Sequence, residues 1–310
     1  MVLPVLIIWL SLLADRVLGD PSNRYHPVAW LGRFIGWWGR PALYPERMQF
    51  FAGMVLGIST AVLFSAPFLL FELFLPLWVA VFALPLLLKI CLAWRCLEEH
   101  VESVEAALLQ EGGGKREVGM LVSRDPGELS GEEVISAAYE SMAENLTDSI
   151  VSPLFYYTLF GLAGAAFYRA ANTMDAMLGY RDERKRLGCF PARLDDILNF
   201  IPARLAGLSL LVWFFAVGRG GDAWSILVRD RRKRPGPNGG VTMALIAGGC
   251  GIAFTKPGAY VIGNPGQSLT VAGPAIKKAV RAATIISAAI LSMMLIAAGG
   301  IVSGFLVCLF

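Results

Sequence analysis

Charge is scarce in this chain. Asp, Glu, Lys and Arg make up 16% of its 310 residues, where a soluble domain carries about 25%. With 56% hydrophobic residues and a mean hydropathy of +0.59, that shortage excludes an ordinary soluble domain and places the chain in the membrane class. Histidine is nearly missing, with only His26 and His100. The cysteines (Cys91, Cys96, Cys189, Cys250, Cys308) are odd in number and scattered, without a CxxC pair. These shortages argue against a zinc site and a disulfide framework. The cysteines are expected to lie buried in membrane helices. A Gly-Lys-Ser/Thr phosphate loop is absent. The net charge of +3 does not point to nucleic acid and suits an anionic small substrate or lipid headgroups. The opening stretch MVLPVLIIWLSLLADRVLGD has neither a basic leader region nor a small-x-small cleavage site. It is expected to be a retained first membrane helix rather than a signal peptide.

What is present is apolar length. Spanning the hydrocarbon takes about 20 apolar residues. Residues 1–14 form a short candidate, 50–71 and 73–94 a helical hairpin turning near Glu72, and 282–310 a strong last span. Stretches 150–169, 203–218 and 240–254 are shorter or interrupted, the last by a run of glycines. The basic loops are 15–49 with five Lys/Arg, 95–149 with four, 169–200 with six, 219–238 with six and 255–281 with four. Short basic loops prefer the cytoplasm. If every apolar stretch crossed once, these loops would alternate sides and break that rule. Some of the three weaker stretches are therefore expected to be re-entrant or in-plane. The expectation is an all-α, polytopic integral membrane protein of the cell membrane. It has about four to seven membrane segments and a single membrane-embedded domain over 1–310. A cytoplasmic helical insert occupies 95–149. Within it, LEEHVESVEAALLQEGG has helical spacing and a glycine stop, and Ser130 precedes Glu132 and Glu133 as a helix start.

Three stretches gather chemistry. In YESMAENLTDSIVSPLFYY, Glu140, Glu144 and Asp148 fall at i, i+4 and i+8, on one helix face. Like charges so placed destabilise a helix unless a cation sits among them. Magnesium, which takes oxygen ligands, is one such cation. Asn145 lies beside the stripe. A solvated helix face is the competing reading, but acids at the edge of an apolar segment are expensive and usually functional. In YRAANTMDAMLGYRDERKRLG, Asn172 and Asp175 share a face, Gly179 can end the helix, and a cluster from Arg181 to Arg186 follows. Such a cluster can hold phosphates or anchor a cytoplasmic loop. In FPARLDDILNFIPARL, Asp195 and Asn199 are at i and i+4, with Asp196 adjacent and Arg193 and Arg204 flanking. A metal or a cationic substrate is one reading, a structural Arg–Asp network the other.

These blocks carry a resemblance. LLADRVLGDP with HPV, GMLVSRD, YESMAENLTDSIVSPLFYY, YRAANTMDAMLGYRDE and ARLDDILNFIPARL resemble, across essentially the whole chain, the CbiB/CobD family of adenosylcobinamide-phosphate synthases. PNGG at 237–240 departs from the family, which has a tryptophan-containing block there. The resemblance implies amide formation between a propionate of adenosylcobyric acid and the amine of (R)-1-amino-2-propanol O-phosphate, driven by ATP with Mg2+. It implies magnesium ligands at Glu140, Glu144, Asp148 and Asp175. Arg124, Arg181 and Arg193 are implied as a phosphate clamp, with Asn145, Asn172 and Asn199 as further substrate contacts. Asp195, Asp196 or His26 is the implied base. Membrane lipid, a second copy or other membrane enzymes of the same pathway are the expected partners, and nucleic acid is not.

Two other classes stay open. A CDP-alcohol phosphotransferase pattern fails at defining positions, since Leu178 precedes Gly179 and Asn199 stands where its last Asp belongs. A transporter would set its acids near mid-membrane, whereas here they lie at span edges, as they would in an interfacial enzyme or a scaffold.

Overall fold

A computed structural model describes residues 2–108, 113–119, 127, 129–180 and 182–307, with side chains to 298. Among the described residues, thirteen α-helices run in chain order. They are α1 (Val2–Leu18), α2 (Pro27–Trp38), α3 (Gln49–Phe74), α4 (Leu77–Lys89), α5 (Trp94–Ala107), α6 (Lys115–Val118) and α7 (Gly131–Leu146). After a π-turn (Thr147–Val151) come α8 (Ser152–Leu178), α9 (Cys189–Leu198), α10 (Phe200–Ala216), α11 (Gly220–Asp230), α12 (Gly239–Cys250) and α13 (Leu269–Val307). The one sheet among the described residues is an antiparallel hairpin, β1 (Ala253–Lys256) with β2 (Tyr260–Gly263), pairing Thr255 with Val261. The protein is thus an all-α polytopic membrane protein. Four described stretches are long and apolar enough to cross a bilayer, Glu46–Phe74, Leu77–Ala107, Gly131–Leu178 and Leu269–Ala298, with a fifth if α9 and α10 count as one broken span. The chain divides into two compact units, 1–93 with 152–199 and 288–310, and 94–151 with 200–287. The insert foreseen at 95–149 falls in the second unit together with 200–287.

In the first unit, α2, α3 and α8 meet around Leu31, Ile35, Trp38, Ala61, Ala170, Met174 and Leu178. Gly53 of α3 faces the Leu187 carbonyl, in the segment between α8 and α9, where a Cβ would collide with it. The outer faces of α3 and α4 expose Phe51, Val55, Ile58, Val62, Trp78 and Phe82, as lipid-facing helices do. Asp20, in the turn after α1, accepts from Lys89 at 2.5 Å and lies 3.7 Å from His26. Burial alone would raise its pKa, but the contacts from His26 and Lys89 outweigh this and hold the carboxyl well below the usual range.

The interruption foreseen in 150–169 is a break inside α8. Phe160 and Gly161 leave helical geometry, and Gly161 has φ 64°. The backbone amides freed there need acceptors. Glu72 provides one, taking the Leu162 N–H at 2.9 Å, so this acid lies within α3 rather than in the turn after it. A Cβ on Gly161 would collide with the Glu72 carboxylate.

In the second unit, α7 opens with a capping box, Ser130 and Glu133 exchanging hydrogen bonds. Ion pairs tie α5 to the early part of α13. Arg281 grips Glu98 at 2.9 and 2.7 Å, and Lys277 meets Glu105 at 2.8 Å. The described apolar stretch of α13, Leu269–Ala298, overlaps the span expected at 282–310. Every residue of α12 is buried, so the glycine-rich segment 240–254 is enclosed by protein and ends at Gly251, φ 66°. The hairpin that follows is absent from the sequence reading. Two four-residue strands about a Lys-Pro-Gly turn are too short to show a period of two. Asp230, wholly buried, clamps this hairpin by accepting from Gly263 N–H, Arg229 and Lys233. Of the cysteines expected in membrane helices, Cys91 and Cys250 are buried but Cys189 is exposed, because it opens the short helix α9 at its outer face.

Two outcomes follow. Glu72→Ala removes the acceptor at the α8 break and should lower stability by about 1–2 kcal/mol, the range of a lost helix cap. Gly161→Ala should cost more, and amide exchange at Leu162 should quicken in both variants. Burial opposes the charge of Asp230, yet Arg229, Lys233 and Gly263 depress its pKa below the usual carboxylate range. A group with a depressed folded pKa stabilises fully above its unfolded value near 4 and loses this as pH falls through the folded value. Denaturant melts should therefore show Asp230→Asn destabilised evenly from pH 5 to 8, with its deficit shrinking only in strong acid.

Candidate functional site

The acidic stripe of α7 has partners already. Glu140 accepts from Ser136 at 2.8 Å through one carboxylate oxygen and from Tyr260 at 2.8 Å through the other. Ser136 in turn accepts the Thr255 N–H at 2.8 Å. Glu140 and Ser136 thereby fasten the hairpin to α7. Glu144 is closed on the guanidinium of Arg234. Asp148, one turn further on in the π-turn, lies within electrostatic range of the same arginine. The cation that the i, i+4, i+8 spacing demands is thus supplied by the chain. Burial works against the Arg234 charge, but Glu144, Tyr260 and Asp148 outweigh it and raise its pKa. Arg234 also lies over Gly239, where a side chain would meet the guanidinium at 2.8 Å. Asn145 is used within its own helix run, donating to Ser141 at 3.0 Å and accepting from Ser149 at 2.8 Å.

A second cluster is built entirely within the first unit. Asp195, buried on α9, accepts from Asn172 of α8 at 3.2 Å through one oxygen and from Asn199 at 2.9 Å through the other. Asn199 is itself fixed, since its carbonyl oxygen accepts from Ser152 at 2.6 Å and Tyr168 at 2.8 Å. Two hydroxyl donors on that oxygen leave the amide nitrogen to face Asp195. Asp175 and Asp196 both lie within electrostatic range of Asp195. The Asp175 carboxylate packs directly over Gly179, where α8 ends as its spacing predicts. Arg193 is exposed on α9 and has no hydrogen bond or ion pair among the described residues.

The geometry therefore gathers Asn172, Asp175, Asp195, Asp196 and Asn199 around one carboxylate. It places Glu140, Glu144, Asp148 and Asn145 along α7 in the other unit. His26 caps α2, its Nδ1 accepting the Val28 N–H at 3.1 Å, and faces Asp20. Arg124 and Arg181 lie outside the described residues. Sequence reasoning missed Ser152, Tyr168, Ser136, Tyr260 and Arg234. Tyr168 carried a signal, standing four residues before Asn172 on the same helix face. Arg234 did not, since it sits in a basic run that loop anchoring explains equally well.

Among the described residues, no group of three or more His, Cys, Asp or Glu is arranged to hold a metal ion. Both oxygens of Glu140 serve hydroxyl groups, and Glu144 serves a guanidinium. The stripe gives magnesium no ready-made oxygen shell of the kind it requires.

A double-mutant cycle tests the pairing. Glu144→Gln and Arg234→Gln each leave the other charge half-enclosed, with side chains 34% and 23% exposed. Each should cost about 1–3 kcal/mol, less than a fully buried pair because solvent screens it. The double variant should lose less than the sum in thermal melts. Strict additivity would mean the two charges do not support one another.

Comparison with known proteins places the chain in a family. The model described as CobD/Cbib protein matches residues 8–293. The chain is 41% identical over 271 residues to a protein named probable cobalamin biosynthesis protein CobD from Methanothermobacter thermautotrophicus, covering 86% of this chain and 89% of that one. It is 37% identical over 271 residues to cobalamin biosynthesis protein CobD of Dehalococcoides mccartyi, covering 84% and 87%. A third relative, from Pyrococcus abyssi and named probable cobalamin biosynthesis protein CobD, is 41% identical over 261 residues, covering 83% and 85%. No solved structure matches the chain. With the family model matching nearly all of its length and relatives above 30% identity along most of theirs, the chain belongs to the CobD/Cbib protein family.

Proposed function

We propose that the protein is an ATP-dependent acid–amine ligase of cobalamin biosynthesis. It joins adenosylcobyric acid to (R)-1-amino-2-propanol O-phosphate and forms adenosylcobinamide phosphate. Family membership and the names of the relatives support the pathway. The observation that carries the chemistry is Asp195, buried and gripped by two neutral amides. Amides orient a carboxylate without neutralising it, so its charge remains for a cation or a proton.

A carboxylate does not condense with an amine unaided, because its oxyanion is a poor leaving group. In the proposed reaction a propionate oxygen attacks the terminal phosphorus of ATP, the bridging P–O bond breaks and ADP departs. The amine nitrogen then adds to the acyl carbon and inorganic phosphate leaves. The substrate amine, an ammonium ion at neutral pH, is drawn to Asp195, Asp175 and Asp196. Asp195 accepts the proton the ammonium must shed before attack, and the second proton, lost as the amide forms, leaves with the phosphate. Asn172 and Asn199 hold that carboxylate in line, and exposed Arg193 is free to meet a phosphate. Magnesium accompanies the nucleotide as its counter-ion. His26, engaged with Val28 and Asp20, is the weaker choice of base. The active-site loops are assigned to the cytoplasmic face, where ATP is supplied.

Protein purified in detergent and given adenosylcobyric acid, Mg-ATP and aminopropanol phosphate should yield the condensed product by mass spectrometry, with one ADP per amide. Asp195→Asn should lower kcat by roughly 100- to 10,000-fold, the usual worth of a general base, while corrinoid binding persists. A folded protein that binds the corrinoid but never forms product would instead hold a binding or assembly role.

A further inference from the structure

One surface of the second unit is not absorbed by this chemistry. Helix α11 turns Ala223, Ile226 and Asp230 inward and packs against α10 and α12. Its opposite face exposes Trp224 and Val228, at 53% and 62%. Arg231 continues the helical backbone as the C-terminal residue, and Arg232 follows. Trp224 and Val228 stand at i and i+4 on one face of α11, and exposed Arg231 and Arg232 follow in the turn at its C-terminal end, so the surface runs from apolar to cationic along its length.

The basic residues around this surface differ in one respect. Arg229 is bound to Asp230, Asn264 and Gly263, Lys233 to Asp230 and Val261, and Arg234 to Glu144. Arg231 and Arg232 are exposed, and neither has an acidic partner among the described residues. The neighbouring helix α10 exposes Leu208, Val212 and Phe215 along one side and is part of a candidate broken span. Gly218, φ 76°, turns the chain from α10 into α11. The surface therefore continues from a segment apolar enough for lipid, and its polarity matches a phospholipid read from chain to headgroup.

We propose that this face of α11 seats an anionic phospholipid of the surrounding bilayer, with Trp224 and Val228 against an acyl chain and Arg231 and Arg232 on the headgroup phosphate. Arginine suits that role because its planar fork donates two hydrogen bonds to one phosphate. Tryptophan suits the boundary between chain and headgroup, where one edge is wet and the rest apolar. Juxtamembrane cations favour anionic leaflets additively. The seat is independent of the ligase reading and stands or falls separately from it.

Tryptophan quenching in nanodiscs tests it. The chain has eight tryptophans, so the Trp224 signal is taken as the difference between the native protein and Trp224→Phe. Brominated phosphatidylglycerol should quench that signal roughly tenfold more effectively than brominated phosphatidylcholine at equal mole fraction. Arg231→Gln with Arg232→Gln should abolish the preference while leaving the fold and ligase turnover in place. Inorganic phosphate should not remove the preference beyond what chloride does at matched ionic strength. Equal quenching by both lipids would overturn the proposal, as would displacement by phosphate alone, which would mark a seat for a free anion. Absence of lipid quenching would also overturn it, whether acrylamide then reaches Trp224 or light scattering shows a second copy covering the face.

Discussion

The closure of Arg234 on Glu144, with Asp148 beside it, is the interaction on which the second unit depends. Three acids along one side of a helix repel one another, and withdrawal from water sharpens that repulsion. A guanidinium from the segment just ahead of α12 relieves it. Glu140 is left outside this pairing and bonds instead to Ser136 and Tyr260, which draws the hairpin onto α7. Asp230 completes the arrangement from the other side by holding Gly263 and both flanking cations. One cation among the acids and one acid among the cations thereby fix where α7, the hairpin and the end of α11 must lie.

The first unit solves a related problem with neutral groups. Its long apolar helices contain few charges, so a broken backbone or a buried acid must find dipolar partners. Glu72 meets the amide freed at Gly161. Asp195 meets two asparagines, and two hydroxyl groups orient one of those. Such chains of hydrogen bonds strengthen one another in a low-dielectric interior, and an unsatisfied member there is costly. The break in α8 and the cluster at Asp195 thus follow the same rule, in which a polar atom taken from water recruits a neighbour, although buried Trp38 Nε1 and Ser292 Oγ have no hydrogen-bond partner among the described residues.

Composition made the membrane class legible, and apolar length located α3, α4 and the later part of α13. Gly179 and Ser130 marked helix ends because their roles are local: one permits a stop, the other supplies a cap. Asn172 with Asp175, and Asp195 with Asn199, were readable as pairs because helical spacing gathers side chains within a segment, but the meeting of Asn172 with Asp195 across 23 residues was not. Partners distant in sequence were not. Ser152 and Asn199 are separated by 47 residues, and Arg234 and Glu144 by 90. Nothing in spacing couples such pairs. The need for a cation among Glu140, Glu144 and Asp148 was legible, but its identity was not, since magnesium and an arginine answer the same electrostatic demand.

The manner of pairing separates structural acids from the one best placed for chemistry. An acid held by a cation has its charge cancelled, and breaking such a pair destabilises the fold without freeing a useful base. Glu144, Asp230, Asp20 and Glu98 are all of this kind. Among the described residues the hydrogen-bond partners of Asp195 are two amides, and two further acids lie in range. Gathering like charge near a carboxylate whose hydrogen-bond partners are neutral amides is costly. In the proposed reaction an incoming ammonium group would relieve that cost on binding, and a proton passed to Asp195 would relieve it during the ligation. A buried carboxylate oriented by neutral amides, as α8 and α9 hold Asp195, is the feature on which the proposed amine ligation rests.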